Sequence, residues 1–304
     1  MKRPSEVKRA VATAVAKNLA MGVPAIRNAR VSAGRTAGGT GPSRAKLDQY
    51  AFNLLGELLT HVGPLDGKSV LEIGPGDNLL AGLAMLASGA SAYTALDRFP
   101  GPYGNAVARE WYALLKEEWP RRFPDRPWPA DLDPATFPDH PKVSVITKGV
   151  EDAEPVAPHD VVCSYVVGEH VLSPDAFARK TREAIGEHGV AIHGIDFSGH
   201  DWDVHGDPFL FLKFSDRLWR LMGSNRGVPN RVRFDDYVRC FERNGLDVEV
   251  VDKRVVQFDP ADEWVRARAT PGFLTHWAVF RLTAAAPDGV RAERAMAGTA
   301  ADRG

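Results

Sequence analysis

The segment 69–88 restricts the possible fold of this chain more than any other stretch of its sequence. Ser69–Ile73 is an apolar run of strand length, and Gly74-Pro75-Gly76 directly after it favours a tight turn. The stretch Asn78–Ser88 that follows is nearly uncharged and long enough for a buried helix. A strand, a glycine turn and a buried helix in this order predict one βα unit of a parallel sheet that helices cover on both faces.

Strands and helices keep alternating along the rest of the chain, which is typical of α/β proteins. We predict a doubly wound, mostly parallel seven-stranded sheet with an antiparallel last strand, together with a helical N-terminal segment and an inserted cap. The predicted strands span Ser69–Ile73, Ala92–Asp97, Lys142–Thr147, Asp160–Tyr165, Gly189–Phe197, Leu246–Val255 and Thr275–Leu282. The predicted helices span Glu6–Met21, Ala45–Val62, Asn78–Ser88, Pro174–Ile185, Phe209–Met222 and Asp235–Asn244.

Composition changes along the chain predict the domain boundaries. Residues 1–44 form a basic N-terminal helix and linker that is either a lid, a contact for an acidic partner, or a partly ordered tail. Residues 45–283 form the main domain. Within it, 98–141 is an insertion that either covers the site or decorates the surface, and 198–234 is a substrate-side cap. Residues 284–304 are predicted to be a disordered tail.

The overall composition excludes several functional classes. A net charge of -1 argues against a nucleic-acid or anionic-membrane partner that binds through bulk charge. No run approaches the ~20 apolar residues that span a bilayer, and the N-terminus has no apolar signal segment. Cys163 and Cys240 lie far apart and match no metal-ligand spacing, which favours a reducing compartment. We therefore expect a cytoplasmic protein without a membrane or nucleic-acid partner.

The turn after the first strand has the features of a ligand-binding loop. Gly74 and Gly76 allow a tight turn and the close approach of a ligand, and the next helix presents free N–H groups. The pattern lacks the third glycine of dinucleotide-binding loops, and Glu72 would repel a pyrophosphate. Asp97 ends the next strand, where a carboxylate can accept both ribose hydroxyls of an adenosine. This acidic loop favours a ligand with positive groups, such as a sulfonium and an ammonium; a dinucleotide enzyme and an inactive domain are the alternatives.

Four segments in order resemble the motifs of class I (Rossmann-like) S-adenosylmethionine-dependent methyltransferases over about residues 45–283. The resemblance implies that S-adenosyl-L-methionine is the cofactor. It also implies that Asp97 holds the ribose and that Val150 and Glu151 flank the adenine. The two glycines would pass the methionine moiety, with Ser164 beside it. The segments are Val70–Gly76, Ala95–Phe99, Gly149–Asp152 and Asp160–His170, and the predicted cofactor-binding residues are Glu72, Gly74, Gly76, Asn78, Asp97, Arg98, Val150, Glu151 and Ser164.

Histidines and carboxylates cluster after the fifth predicted strand, in the stretch His193–His205, at the edge where open α/β sheets bind ligands. His200 or His193 would act as a general base that Asp196 orients. Alternatively, side chains of this stretch hold a divalent metal ion, or the stretch is a polar loop without a catalytic role. The sequence allows a divalent metal without predicting one, and it assigns no metal ligands. The predicted catalytic residues are His200, His193, Asp196 and His170.

The same stretch resembles a small-molecule subset of these methyltransferases, in which a His-x-Ile-Asp-x-x-x-His pattern precedes an aromatic helix. That subset occurs in bacterial small-molecule and surface-glycan pathways. The aromatic residues from Phe209 to Trp219 either wall an acceptor pocket or belong to the core. Arg231 and Arg233 either clamp an anionic group of the acceptor or form surface ion pairs.

We therefore expect methyl transfer from S-adenosylmethionine to a small-molecule acceptor, with a hydroxyl oxygen as the first candidate. The alternative is an S-adenosylmethionine-binding protein with a non-methylating or structural role. A flipped nucleic-acid base is not expected, because Ser164–Val167 stands where such enzymes carry an Asn-Pro-Pro-Tyr-type tetrapeptide. The sequence is compatible with an oligomer and defines no oligomeric state.

Overall fold

The computed structural model describes residues 4–26, 29, 41–154, 156–200, 202, 207–225 and 227–286. Within these residues the strands are β1 (Ser69–Ile73), β2 (Ala92–Leu96), β3 (Val143–Ile146), β4 (Val161–Tyr165), β5 (Val190–Asp196), β6 (Leu246–Val255) and β7 (Thr275–Ala284). The α-helices of the same part of the chain are α1 (Pro4–Met21), α2 (Arg44–Leu47), α3 (Asn53–His61), α4 (Leu80–Ala87), α5 (Ala106–Arg122), α6 (Pro174–Ile185), α7 (Leu210–Lys213), α8 (Asp216–Gly223), α9 (Phe234–Arg243), α10 (Glu263–Arg266) and α11 (Pro271–Leu274). A π-helical turn (Asp48–Phe52) joins α2 to α3, and a 3-10 turn (Gly168–His170) follows β4.

The strands form one sheet in the order β3-β2-β1-β4-β5-β7-β6. Strands β1 to β5 run parallel to one another, whereas β7 is antiparallel to both β5 and β6. The predicted seven-stranded, mostly parallel sheet with an antiparallel last strand is confirmed. The strand order reverses at β1, which pairs with β2 on one side and β4 on the other, and such a reversal opens a crevice at the carboxyl ends of the strands. The loops after β1, β2, β4 and β5 therefore meet at one edge.

Two helical layers cover the sheet because successive side chains of a strand point to opposite faces. Val70 of β1 packs into the layer of α3, α4 and α5, whereas Leu71 packs into the layer of α6 and α9. Every residue of α4 is buried, which explains the nearly uncharged sequence of this helix. The two layers leave the carboxyl edge of the parallel strands as the place where polar residues can gather.

Most of the insertion 98–141 belongs to the core. Helix α5 lies in the first layer, and its Trp119 is fully buried there. Trp128 and Phe137, from the chain that follows, also pack against this layer. This part of the insertion therefore covers the sheet, whereas Gly101, before α5, lies against the backbone of Asp77 next to the glycine loop.

The N-terminal helix packs against the cap region. The predicted helix Glu6–Met21 is present as α1, and Ala14 is buried in a small apolar cluster with residues of α7 and α8. Buried Asn18 donates to the carbonyl of Leu221 at 2.9 Å and accepts the N–H of Asn225 at 2.7 Å. These polar contacts fix the position of α1 on the cap, so this helix is not a free tail.

The predicted helix Phe209–Met222 is divided into α7 and α8. The division occurs because the Ser215 hydroxyl accepts the N–H of Leu218 and starts a new helix. Phe211 and Trp219 are buried in the cluster that α1 completes. These aromatic side chains therefore belong to the core and do not wall an acceptor pocket.

Two predicted segments lie largely outside the described residues. They are the linker Ser32–Gly41, of which only Gly41 is described, and the tail 284–304, of which only 284–286 are described. Among the residues that are described, no helix is both long and apolar enough to cross a membrane.

Candidate active site

The loop after β1 has a backbone that only glycine adopts with ease. Gly74 and Gly76 have φ angles of 71° and 77°, in the left-handed region. A Cβ at Gly74 would lie 2.7 Å from a methyl group of Val167, which packs against the loop from the end of β4. A Cβ at Gly76 would meet nothing within 4 Å, so this part of the loop faces open space. The loop therefore presents accessible backbone at the reversal of strand order.

Asp97 lies directly beside the glycine loop. Its carboxylate accepts the N–H of Gly76 at 3.1 Å and the N–H of Phe99 at 2.7 Å. Burial raises the pKa of this carboxyl, while the two hydrogen bonds act in the opposite direction. The side chain thus connects the ends of β1 and β2, next to the open backbone of the loop.

Glu72 lies beneath the loop, where it is only 5% exposed and accepts a hydrogen bond from the Tyr93 hydroxyl. Burial raises the pKa of Glu72 to about 7; the Tyr93 hydrogen bond opposes this rise and the charge of Asp97 adds to it. Glu72 is therefore placed to act on a ligand through its charge and not through direct contact.

Tyr103 belongs to this site although the sequence did not reveal it. It is 7% exposed, and its hydroxyl makes no hydrogen bond of normal geometry with the described residues. Burial first, and then the charge of Asp97, raise the pKa of this phenol, so the ring lies close to the acid. The sequence offered one indirect signal, the glycine at position 101. In the structure a Cβ at Gly101 would clash with the backbone of Asp77, so the segment that carries Tyr103 passes close to the glycine loop.

Arg98 and Glu151 join the loops after β2 and β3. Their ion pair is 2.9 Å long, and the other Glu151 oxygen accepts the N–H of Leu172 at 2.7 Å. Beside this pair, Phe99 and Leu172 leave 71% and 76% of their surface exposed. These two side chains offer apolar surface next to the crevice, which is the usual lining of a small-molecule site.

Val150 and Asn78, also predicted to bind the cofactor, have side chains engaged in the protein. Val150 is 6% exposed and packs into the core of the second layer. The Asn78 side chain accepts the N–H of Leu80 at 3.0 Å, at the start of α4. Only the backbone of these residues is placed to meet a ligand.

Ser164 and His193, which were predicted to bind the cofactor and to act in catalysis, have no exposed surface. They are fully buried, and the Ser164 hydroxyl lies 2.8 Å from Nδ1 of His193, with the Thr181 hydroxyl of α6 3.0 Å from Nε2. Burial lowers the pKa of His193 to about 3, so the ring is neutral with both nitrogens engaged. The cause is strand alternation: the two residues pair across β4 and β5, and both point towards α6.

Four ionisable side chains come together at the carboxyl ends of β4 and β5: Glu169, His170, Asp196 and His200. Nε2 of His200 lies 3.3 Å from an Asp196 oxygen and 3.7 Å from a Glu169 oxygen. The two imidazole rings lie 5.1 Å apart between centroids. The Glu169 carboxylate is 2% exposed and makes no hydrogen bond of normal geometry with the described residues. Glu169 was absent from the predicted catalytic set, although its position after β4 was an available signal.

The charges in this cluster bear on the predicted role of His200 as a general base. Burial lowers its pKa, but the adjacent carboxylates of Asp196 and Glu169 raise it more, to about 10. Desolvation, followed by repulsion from His200, lowers the pKa of His170 to about 4. At neutral pH His200 is therefore a cation between two carboxylates, and it has no free lone pair with which to accept a proton.

The turn that carries Glu169 and His170 is held by residues before and within α9. The Asn230 amide donates to the carbonyl of Gly168 at 3.0 Å, and the hydroxyl of Tyr237 donates to the same carbonyl. The N–H of Asn230 also donates to the Glu169 carbonyl at 2.6 Å. These bonds fix the backbone of the turn, so its two ionisable side chains are positioned before any ligand arrives.

Arg231 and Arg233 are used by the protein itself. Arg231 donates to the Phe214 carbonyl at 2.7 Å and pairs with Asp216. Arg233 donates to three backbone carbonyls, among them that of Phe197. Neither is free to clamp an anionic acceptor. Asp203 and His205, which the sequence also placed in this region, lie outside the described residues.

No protein-family model and no curated protein matches this sequence. Solved structures of S-adenosylmethionine-dependent methyltransferases are similar to it in fold. One, from Mesorhizobium loti, has a TM-score of 0.40 and 13% identity over 72% of this chain and 92% of that chain. An O-methyltransferase of neocarzinostatin biosynthesis, in complex with S-adenosylmethionine, has a TM-score of 0.37 and 16% identity over 71% of this chain and 48% of that chain. The CurJ carbon methyltransferase has a TM-score of 0.42 and 14% identity over 94% of this chain and 72% of that chain. At these values the similarity concerns the fold alone and assigns no acceptor.

Proposed function

We propose that this protein is a methyltransferase that uses S-adenosylmethionine and methylates an oxygen of a small-molecule acceptor. The proposal depends on one observation: the open, left-handed backbone at Gly76 lies against the Asp97 carboxylate, with buried Glu72 below. Two acids at a glycine loop disfavour a pyrophosphate, whose charge is negative. They favour a ligand that brings a sulfonium, an ammonium and ribose hydroxyls.

The residues at the crevice fit such a ligand. Asp97 would accept the ribose hydroxyls, and the loop around Gly76 would pass the methionine part. The buried Tyr103 hydroxyl makes no hydrogen bond of normal geometry with the described residues and would find a partner in the ligand. Exposed Phe99 and Leu172 would cover the adenine. When bound, S-adenosylmethionine supplies an electrophilic methyl group on positively charged sulfur.

The cluster after β4 and β5 would hold the acceptor. Val167 packs on Gly74, and the next residues of the chain bring Glu169 and His170 to the same edge as the glycine loop. Because the Glu169 carboxylate is almost fully buried, only a small group can reach it, which favours a hydroxyl of a small molecule. Glu169 would accept the single hydrogen bond that this hydroxyl can donate, and it would take up the hydroxyl proton as the methyl group moves from sulfur to oxygen. The orientation that this hydrogen bond fixes provides much of the rate in transfer reactions.

Calorimetric titration of the purified protein with S-adenosylmethionine, and separately with NAD, tests the cofactor. We expect binding of S-adenosylmethionine alone, weakened by about 1–3 kcal/mol in Asp97→Ala because a charged hydrogen-bond partner is lost. Asp139→Ala, an exposed site before β3, is the matched control and should bind as the wild type does. Binding of NAD instead, or equal affinity of wild type and Asp97→Ala, would contradict the proposal.

Methyl transfer itself is tested with methyl-labelled S-adenosylmethionine and a collection of small hydroxylated metabolites. We expect label to appear in an acceptor together with S-adenosylhomocysteine. Glu169→Gln should lose most of this transfer while keeping its affinity for S-adenosylmethionine, since Glu169 is assigned to the acceptor. Tight cofactor binding with no transfer to any hydroxylated compound would instead support a non-methylating role.

A further inference from the structure

The described residues give the buried carboxylate of Glu169 no hydrogen bond of normal geometry, and its ion pair with His200 is long. Removing a carboxylate from water costs several kcal/mol unless charge and ligand atoms compensate for it. Both Glu169 oxygens are buried without a hydrogen bond of normal geometry, and so is Nε2 of His200. The Glu169 oxygen and His200 Nε2 are 3.7 Å apart, beyond hydrogen-bond distance. The Glu169 carboxylate and Nε2 of His200 therefore face one another across a gap without a direct hydrogen bond.

One ligand atom from each of Glu169, His170 and His200 lies within 4.8 Å of the other two. Metal–ligand bonds of about 2.0–2.2 Å place neighbouring ligand atoms about 3–4 Å apart. The 3.7 Å between Glu169 and His200 satisfies this spacing, and no pair of the three ligand atoms is more than 4.8 Å apart. We propose that Glu169, His170 and His200 form a site for a divalent transition-metal ion.

The surroundings of these three residues resemble those of metal ligands. Histidines that bind metals donate their second ring N–H to a carbonyl or carboxylate, which fixes the ring. The backbone at Val228 and Gly227 lies beside the His170 ring. His200 has a φ of 50°, a left-handed conformation that is uncommon outside glycine and concentrates at functional sites. The surroundings of His170 and the backbone conformation of His200 thus position both imidazoles of the proposed site.

The donor set indicates the class of ion. Two imidazoles and one carboxylate suit zinc, iron or manganese, whereas magnesium and calcium prefer oxygen ligands alone. Asp196, 3.3 Å from Nε2 of His200, adds negative charge beside the site. A divalent ion would take the place of the proton that His200 shares with the two carboxylates.

Three protein ligands leave coordination positions open. If the proposed methyltransferase function is correct, an oxygen of the acceptor would occupy such a position. A divalent cation next to a hydroxyl lowers the pKa of that hydroxyl. The acceptor class that fits best is therefore a compound whose hydroxyl can bind a metal, such as a catechol or a hydroxy acid.

Titration of the full chain with metal ions tests the site. After treatment with a chelator, the protein is titrated with Zn²⁺ by calorimetry and with Co²⁺ by visible absorption. We expect one equivalent of either ion and much weaker binding of Mg²⁺. Glu169→Gln, His170→Gln and His200→Gln should each weaken Zn²⁺ binding by at least ~10-fold, the lower limit for changes even to outer-shell groups. His188→Gln, an exposed histidine before β5, should bind as the wild type does.

Urea unfolding of each variant shows whether the chain is folded, and any one folded variant is sufficient to decide. The proposal is overturned if the wild type takes up less than one equivalent of Zn²⁺ and Co²⁺, or if the folded variants bind as tightly as the wild type. A parallel titration with S-adenosylmethionine separates the two proposals. Metal binding without cofactor binding would refute the methyltransferase function alone, and cofactor binding without metal binding would refute the metal site alone.

Discussion

Replacing Glu72 by glutamine should make the protein more stable at neutral pH, although Glu72 lies under the proposed cofactor loop. The carboxyl is fully buried, and its pKa is raised from its usual value of 4.5 to about 7. Glutamine has nearly the same shape and can still accept the hydrogen bond of the Tyr93 hydroxyl. The substitution therefore removes the ionisation of one group and little else.

The sign of the effect follows from proton linkage. Between pH 4.5 and pH 7 the folded protein holds a proton on Glu72 that the unfolded chain releases, so wild-type stability falls as the pH rises through this interval. The pKa difference, at ~1.4 kcal/mol per pKa unit, corresponds to about 3 kcal/mol above pH 7. Glu72→Gln cannot ionise, so the variant should match the wild type near pH 4.5 and exceed it by about that amount at pH 8.

Urea unfolding of both proteins from pH 4.5 to pH 8.5 measures this difference directly. Glu110→Gln, at an exposed position of α5, is the matched control and should change nothing in this interval. Above pH 7, where Glu72 is ionised, we also expect Glu72→Gln to bind S-adenosylmethionine more weakly than the wild type, because the variant lacks a negative charge beneath a cationic ligand. A stability difference that does not vary with pH would refute the assignment of the raised pKa to Glu72.

Three further substitutions test the layers around the site. Gly82→Ala should lower the free energy of unfolding by about 1–3 kcal/mol in urea denaturation, because a Cβ there would clash with the Tyr93 ring in a packed layer; unchanged stability would contradict the packing. Burial lowers the pKa of His193 to about 3, so wild-type stability should fall as the pH decreases from 6.5 towards 3, and His193→Gln should flatten this acid limb in thermal unfolding; parallel curves would exclude this role. Asn18→Ala removes the hydrogen bond to the Leu221 carbonyl, so α1 should be cleaved faster by a protease while the rest of the chain remains intact; unchanged cleavage would mean that apolar packing alone holds α1.

The periodicity of apolar residues and the positions of glycines predicted most of the fold. This succeeded because the burial of side chains and the turn after the first strand depend on residues that are close in sequence. The strands Ser69–Ile73 and Leu246–Val255 and the helix Pro174–Ile185 agree with the structure at both ends. Division of the helix Phe209–Met222 was missed, since the start of α8 depends on a single side-chain hydrogen bond of Ser215.

The site was less predictable, because a motif shows which residues are near an edge and not where their side chains point. His193 lies within β5 and not at its carboxyl end. Because side chains alternate along a strand, its ring points towards α6 in the core. Tyr103 lies in no predicted motif, whereas Glu169 lies within the segment Asp160–His170. In both cases the side chain makes no hydrogen bond of normal geometry with the described residues, which is visible only in three dimensions. These two residues were therefore recognised as part of the site from their burial and not from the spacing of residues in the sequence.

A crystal structure of the protein soaked with S-adenosylhomocysteine tests the central claim most directly. The account predicts that the ribose contacts the Asp97 carboxylate, that the amino-acid part lies along Gly74–Gly76, and that the Tyr103 hydroxyl gains a hydrogen-bond partner. A ligand bound elsewhere, or a loop that binds only a dinucleotide pyrophosphate, would contradict it.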